Sequence, residues 1–141
     1  MSVLDASVAV KWFKVEAGSD HAQRLLEEQQ GHLHVPGIFV VEVAATIVRL
    51  ANANEAPPET TDAALYALLD LIDRRAILVE QTPPGQVVEA ARLAVRIGHP
   101  LKDCLYLALA IALGRPLVTA DAKFAAKACE LWDQIVVLAD P

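Results

Sequence analysis

Four acidic residues stand at positions that a solvent-facing helix surface does not explain: Asp5, Glu42, Asp103 and Asp121. Asp5 and Asp121 each come directly after a short apolar segment that we predict to be a buried strand. Glu42 and Asp103 stand near the starts of two predicted helices, each within otherwise apolar sequence. Because ligands bind at the carboxyl ends of the strands in open α/β sheets, we expect Asp5 and Asp121 to face one crevice.

A carboxylate among large apolar neighbours is unfavourable unless it is paired, hydrogen-bonded or bound to a metal. A helix N-terminus offsets only about 0.3–1 kcal/mol of this cost, whereas desolvation of a buried carboxylate costs on the order of several kcal/mol. No basic residue in the sequence is evidently matched to each of the four acids. Hard oxygen ligands select Mg²⁺ or Mn²⁺, and such ions promote phosphodiester hydrolysis. The acids therefore predict a Mg²⁺ or Mn²⁺ site suited to that chemistry.

Two hydroxyl side chains accompany the aspartates that follow strands. Ser7 stands two residues after Asp5, and Thr119 stands two residues before Asp121. Their hydroxyls could orient the metal ligands or waters from a second layer around the site. Alternatively, both residues cap turns. The local sequence does not decide between these roles.

Short β-type segments alternate with longer helical patterns along the whole chain. The predicted order of elements is β-α-α-β-α-α-β-α-α-β-α-β, which is typical of a sheet covered by helices on both faces. We therefore predict an α/β fold, a three-layer α/β/α sandwich whose central, mostly parallel sheet has about five strands. The strands are predicted at residues 2–4, 32–35, 76–79, 116–119 and 134–138.

The chain has 141 residues, of which 55% are hydrophobic and 21% charged. This size and composition predict one folded domain over residues 1–141. The start of the sequence lacks the basic region of a secretory signal, and the longest apolar run, residues 104–114, is too short to span a bilayer. The two cysteines suggest neither a disulfide framework nor a CxxC pair, and Cys104 is expected to be a buried thiol. Together these features predict a cytoplasmic protein without membrane association.

The formal net charge is −6, from 18 acidic and 12 basic residues. This charge opposes binding to a nucleic acid, and no cluster of lysines and arginines marks a path for one. Bound divalent ions would offset part of the negative charge. The overall charge therefore argues against a nucleic-acid ligand but does not exclude one.

Taken together and in order, four segments of the chain resemble the PIN-domain family, and the closest likeness is to its VapC-type toxins of toxin–antitoxin pairs. The resemblance covers essentially the whole chain, and its strength lies in the order and spacing of motifs that are individually weak. The segments are Asp5-Ala6-Ser7-Val8-Ala9-Val10-Lys11-Trp12, Val41-Glu42-Val43-Ala44, Asp103-Cys104-Leu105-Tyr106-Leu107-Ala108-Leu109-Ala110 and Leu117-Val118-Thr119-Ala120-Asp121.

This resemblance implies a PIN-like fold and a Mg²⁺- or Mn²⁺-dependent endoribonuclease that cleaves structured RNA such as tRNA. It also implies a homodimer and inhibition by a cognate VapB-like antitoxin protein. Carried onto this sequence, the catalytic metal cluster would be Asp5, Glu42, Asp103 and Asp121, supported by Ser7 and Thr119. Cys104 departs from the family, which usually has a small residue, often alanine, at that position.

Two other functional classes compete with a nuclease. Haloacid-dehalogenase-like phosphohydrolases and receiver-like proteins also place an aspartate after the first strand of a parallel sheet. The former would need a second aspartate where this chain has Ser7, and the latter would need a second acid next to Asp5. The remaining class is a non-catalytic binding module, although the presence of all four acids gives no sign of a lost site.

Several other residues allow a functional and a purely structural interpretation. His32 and His34 are two residues apart, so both side chains would lie on one face of a strand, where they could bind zinc. No third ligand is evident, and an exposed strand edge therefore explains the two histidines better. His99 precedes Pro100, and we interpret it as a loop residue, although it could approach the site. Lys11 and Trp12 could contact RNA by charge and stacking, while core packing explains Trp12 equally well.

Overall fold

The computed structural model describes residues 1–138, and within this range five strands form one sheet in the order β3-β2-β1-β4-β5. Every pair of neighbouring strands is parallel. This topology confirms the predicted α/β class and strand number. The strands are β1 (Ser2–Leu4), β2 (Leu33–Pro36), β3 (Ile77–Glu80), β4 (Leu117–Thr119) and β5 (Ile135–Val137).

Seven α-helices and one short 3₁₀ turn connect the strands, in the order predicted from the alternating sequence patterns. The 3₁₀ turn, Val10–Trp12, follows the first helix directly. The helices are α1 (Ala6–Ala9), α2 (Ser19–Gln29), α3 (Ile38–Asn52), α4 (Glu59–Asp73), α5 (Pro84–Ile97), α6 (Leu101–Leu113) and α7 (Ala122–Ala128).

Strand β1 lies at the centre of the sheet, where Val3 is in register with His34 of β2 and Leu117 of β4. All three residues of β1 are buried, although successive side chains point to opposite faces. Both faces of the sheet are therefore covered by helices, as expected for a parallel sheet, which gives the predicted three-layer sandwich. Because β1 and β4 are neighbours, the residues that follow them emerge side by side.

Helix α6 is the most apolar helix of the chain, as its sequence predicts, and it packs against β1, β2 and β4. All residues from Cys104 to Ala110 are buried, and Tyr106 is the largest fully buried side chain of the described core. Burial raises the pKa of the Cys104 thiol to about 11, which agrees with the predicted buried thiol. The close packing of α6 on three strands fixes the position of Asp103 in its first turn.

The prediction that the two strand histidines mark an exposed edge is wrong. Strand β2 lies between β1 and β3, and His34 is buried, with its Nδ1 2.6 Å from Glu80 Oε1. His32 precedes the strand and is exposed. The contact between His34 and Glu80 could not be predicted from the sequence around His34, because Glu80 lies on a strand 46 residues away. The pair explains His34 without a zinc ion.

The structure agrees with the interpretation of Trp12 as a core residue. Its side chain packs against the core, and its indole Nε1 donates to Ala22 O at 2.9 Å. The Lys11 ammonium lies 3.3 Å from Glu16 Oε1. These contacts account for both residues without a role in binding RNA. Among residues 1–138, no helix has both the length and the apolar character that crossing a bilayer requires.

We predict that Gly114→Ala lowers the free energy of unfolding by about 1–2 kcal/mol, because Gly114 ends α6 with φ at 65°, a conformation that a Cβ disfavours. Urea denaturation measures the change. Gly85→Ala is the matched control, because this helical glycine has open space at its Cβ and no positive φ, so that stability should stay equal or rise. An equal loss of stability in both variants would contradict the backbone explanation.

Candidate functional site

One cavity of about 470 Å³ lies at the carboxyl edge of the sheet, and all four predicted acids line it. Asp5 and Asp121 reach it from the ends of β1 and β4, whereas Glu42 and Asp103 reach it from α3 and α6. The parallel sheet therefore brings together residues that are far apart in the chain. Ser7, Thr46, Arg49 and Lys102 also line this cavity.

Asp5 is almost fully buried, with 4% of its surface exposed. Its Oδ2 accepts two hydrogen bonds, from Ser7 Oγ and from Thr119 Oγ1, both at 2.7 Å. These donors come from α1 and β4, on either side of the aspartate. The two bonds fix the plane of the carboxyl group and direct Oδ1 away from the hydroxyls.

The structure combines both roles that the sequence left open for the two hydroxyls. Besides donating to Asp5, Ser7 Oγ accepts from the backbone N–H of Ala120 at 3.0 Å, and Thr119 Oγ1 accepts from that of Asp121 at 3.1 Å. Each hydroxyl thus holds the turn between β4 and α7 while it orients Asp5. Since each has one proton, the 3.3 Å contact between Ser7 and Thr119 adds no further hydrogen bond.

Asp121 occupies the N-cap position of α7, where its Oδ1 accepts from Phe124 N at 3.0 Å. Capping satisfies one of the free N–H groups at the start of the helix. Asp103, in the first turn of α6, has its Oδ2 2.6 Å from Nε2 of His99. His99 also stacks on the ring of Phe124, with ring centres 4.9 Å apart.

Glu42 projects from α3 next to the buried face of that helix. Its Oε1 accepts from the Tyr106 hydroxyl at 2.8 Å, and its Oε2 lies 4.0 Å from Lys102 Nζ. Burial and the nearby Glu42 charge raise the pKa of the Tyr106 phenol, which therefore remains a donor. The lysine is largely exposed and compensates the glutamate only weakly.

The four carboxylates share one pattern. Each has one oxygen held by a hydrogen bond from the protein, while the other oxygen has no hydrogen bond from any residue in the described range 1–138. None of these remaining oxygens is among the buried side-chain atoms that lack a partner, so they are accessible from the cavity that the four acids line. The remaining oxygens form a donor set of the kind that binds a hard divalent cation.

Mutual repulsion adds to the cost of this arrangement. Burial raises the pKa of Asp5, and the nearby charges of Asp103 and Asp121 raise it further, against the lowering effect of its two hydroxyl donors. Burial likewise raises the pKa of Glu42, with contributions from Asp5 and Asp103. The protein alone thus leaves part of this negative charge uncompensated, and a cation in the cavity would supply the missing compensation.

Three residues come close enough to share one ion: ligand atoms of His99, Asp103 and Asp121 all lie within 4.8 Å of one another. Asp5 and Glu42 line the same cavity but are not members of this group. The chemistry of the donors fits a divalent cation. The structure thus brings all four predicted acids to one cavity, with Ser7 and Thr119 in contact with Asp5.

Two residues that contact the acids were not assigned to the site from the sequence, His99 and Tyr106. His99 is a loop residue, as interpreted, and it also approaches the site, as the sequence allowed: its Nε2 lies 2.6 Å from Oδ2 of Asp103, four residues later. Tyr106 is a core residue, and its hydroxyl also reaches Glu42. That contact joins residues 64 positions apart and has no signal in the local sequence.

Comparison with solved structures finds the same fold in other proteins. Mycobacterium tuberculosis VapC20, a toxin that cleaves the sarcin–ricin loop, superposes with a TM-score of 0.73 at 17% identity, covering 100% of both chains. A toxin–antitoxin complex from Klebsiella pneumoniae gives 0.66 at 16% identity, again over 100% of both chains. PAE2754 from Pyrobaculum aerophilum gives 0.68 at 23% identity, covering 89% of this chain and 83% of the other. At such low identity, these superpositions show a shared fold alone.

Comparison of sequences gives two results. Among curated proteins, none matches the chain significantly. The sequence profile of the PIN domain, however, matches residues 2–129, a range that includes the whole cavity and the strands and helices that build it. The match covers most of the chain and agrees with the fold, and on this basis the chain belongs to the PIN domain family.

Proposed function

We propose that the chain is a metal-dependent endoribonuclease that acts as the toxin of a toxin–antitoxin pair. The observation that carries the proposal is that Asp5, Glu42, Asp103 and Asp121 line one cavity, each with one oxygen held by a hydrogen bond and the other without one from residues 1–138. Membership of the PIN family supports a nuclease. The toxin role is supported by the similarity in fold to VapC20 and to the Klebsiella complex.

In this proposal the four acids hold Mg²⁺ or Mn²⁺ and are the catalytic residues. An ion held there would supply positive charge to stabilise the phosphate and would lower the pKa of a bound water. The protein contributes rigid positioning. Ser7 and Thr119 orient Asp5, while the N-terminus of α7 orients Asp121. Because these contacts exist before any substrate binds, little reorganisation is needed for the reaction.

The partners follow from the same proposal. We propose RNA as the substrate, a structured RNA such as tRNA, and the resemblance in fold to a toxin that cleaves the sarcin–ricin loop supports this. We also propose a VapB-like antitoxin protein as the inhibitor, assembly as a homodimer, a single domain over residues 1–141 and a cytoplasmic location. The resemblance in fold to a toxin–antitoxin complex supports the antitoxin.

An assay on the purified chain tests the proposal. The chain is incubated with bulk tRNA, a structured rRNA fragment or single-stranded DNA, in the presence of Mg²⁺, Mn²⁺, Ca²⁺ or excess chelator. We expect discrete cuts in RNA with Mg²⁺ or Mn²⁺ and none with chelator. Cleavage that persists in chelator, or a covalent phosphate on Asp5 after incubation with a phosphoryl donor, would contradict the proposal. The second result would favour a receiver-like or dehalogenase-like protein.

We predict that Thr119→Val weakens Mn²⁺ binding about 10–100-fold, the usual loss when a group that orients a metal ligand is removed. Valine keeps the volume of the buried side chain but cannot donate to Asp5 Oδ2. Isothermal titration measures the affinity. Thr46→Val is the matched control, since Thr46 lines the same cavity but its hydroxyl donates to the backbone carbonyl of Glu42. Equal losses in both variants would refute a specific role for Thr119.

A further inference from the structure

We propose that His99 is a positioning residue that orients the Asp103 carboxylate for metal binding, an inference that rests on the proposed function. His99 Nε2 lies 2.6 Å from Asp103 Oδ2, and the histidine side chain is 10% exposed. Because a carboxylate accepts hydrogen bonds and does not donate them, Nε2 carries the proton in this contact. Asp103 is thereby held through Oδ2, and its Oδ1 is the oxygen left for a cation.

Two contacts set the orientation of the imidazole ring, the stack on Phe124 and the bond to Asp103. Its face stacks on Phe124, with an angle of 26° between the planes. Its Nδ1 is buried and has no hydrogen-bond partner among residues 1–138. The ring orientation is therefore set only by the stack and by the bond to Asp103. A buried nitrogen without a partner has a free-energy cost, against which the bond from Nε2 to Asp103 is a favourable contribution.

Phe124 connects the positions of two acids. Its backbone N–H donates to Asp121 Oδ1, while its ring supports His99, which in turn contacts Asp103. The first turn of α7 thus fixes both aspartates through one residue. This explains why ligand atoms of Asp103 and Asp121 approach within 4.8 Å although 18 residues separate them in the sequence.

Direct metal ligation by His99 would require a different arrangement. A histidine ligand uses an unprotonated ring nitrogen, whereas Nε2 is the proton donor to Asp103. Ligation through Nε2 would therefore break the bond to Asp103 and leave that carboxylate without its anchor, while Nδ1 is buried and not accessible to an ion in the cavity. The observed geometry favours the role that histidine–carboxylate pairs have behind many metal sites, in which one partner orients the other.

The first test measures Mn²⁺ affinity by titration of the purified, metal-free full chain. His99→Phe keeps a ring for the stack but lacks the N–H, and His99→Gln places an amide N–H near the position of Nε2. We expect a loss of about 10–100-fold for His99→Phe and recovery of most of it in His99→Gln. His32→Phe, at the exposed histidine before β2, is the control and should bind as the original chain does.

The outcomes separate this inference from the proposed function. If the original chain binds Mn²⁺ but His99→Phe binds equally well, or if His99→Gln loses as much affinity as His99→Phe, the positioning role of His99 is refuted and the nuclease proposal stands. If the original chain binds no Mn²⁺, both are refuted.

A second measurement needs no variant. Long-range ¹H–¹⁵N correlation spectra of the intact protein report which histidine nitrogen carries a proton. We expect a protonated Nε2 for His99 in the metal-free protein, and we expect that proton to persist after saturation with diamagnetic Mg²⁺. Loss of the proton on addition of Mg²⁺ would show direct ligation and overturn the positioning role.

Discussion

Asp103→Asn is expected to abolish RNA cleavage, with a loss of at least about 100-fold in the single-turnover rate at saturating Mg²⁺ or Mn²⁺. Removing a proposed ligand should cost more than the 10–100-fold typical of residues that only orient ligands. The fold should persist, because the carbonyl oxygen of asparagine can still accept the bond from His99 Nε2. Cleavage of end-labelled RNA resolved on denaturing gels measures the rate.

The matched control is Asp73→Asn, which removes the same charge from an exposed position at the end of α4. This variant should cleave as the original chain does, and circular dichroism should give superimposable spectra for both variants. Undiminished cleavage by folded Asp103→Asn would remove this carboxylate from the site. Equal losses in the two variants would point instead to an effect of overall charge on RNA binding.

Mg²⁺ or Mn²⁺ is expected to stabilise the protein strongly, and Asp5→Asn should remove most of that effect. An ion at 100 times its dissociation constant adds about 2.7 kcal/mol to the free energy of unfolding, which corresponds to roughly 10 °C in Tm for a chain of this size. Without metal, Asp5→Asn should melt at a higher temperature than the original chain. Its amide oxygen can accept both hydroxyl donors, and it carries no buried charge.

The pH dependence of the metal-free protein follows from the same carboxylate. The pKa of Asp5 is raised above its ordinary value of 3.8, so the folded state holds this proton more tightly than the unfolded state does. The associated stability is fully present below pH 3.8 and is lost as the pH rises through the raised value in the folded protein. Glu42 contributes with the same sign from its ordinary value of 4.5.

Differential scanning calorimetry across this pH range, with and without metal, checks both expectations. In Asp5→Asn the loss of metal-free stability with rising pH should be smaller than in the original chain, whereas Asp73→Asn should leave it unchanged. A metal-free Asp5→Asn protein that melts below the original chain would contradict the view that this carboxylate is destabilising. An undiminished response of Asp5→Asn to metal would place the ion elsewhere.

Much of the fold could be predicted because its signals are local. The apolar segments that become β1 and β4 are short and bounded by polar residues, and the apolar run of α6 ends at Gly114. The spacing of apolar residues and the residues that end each segment are therefore enough to predict the order of elements. The convergence of Asp5 and Asp121 needed only one further rule, that carboxyl ends of parallel strands share an edge. The confirmed fold class and order of elements thus depend on hydrophobic pattern and sheet topology.

The parts that could not be predicted are contacts between elements. Stacking of His99 on Phe124 depends on how α7 lies against the loop before α6, and the bond from Tyr106 to Glu42 depends on how α3 and α6 approach each other. The burial of His34 failed as a prediction for a related reason, since its neighbour Glu80 is set by the pairing of β2 with β3. Such side-chain geometry is decided by tertiary packing, which the sequence around each residue does not encode.

The strand order has a consequence for how the protein becomes active during its synthesis. The chain builds β1, β2 and β3 outward in one direction and then returns to add β4 and β5 on the other side of β1. The N-terminal half brings two of the acids and the C-terminal half brings the other two, and Asp5 meets its donor Thr119 across 114 residues. A nascent or truncated chain that lacks β4 therefore has no complete site, so the proposed nuclease activity would be delayed until β4 and Asp121 have emerged and folded.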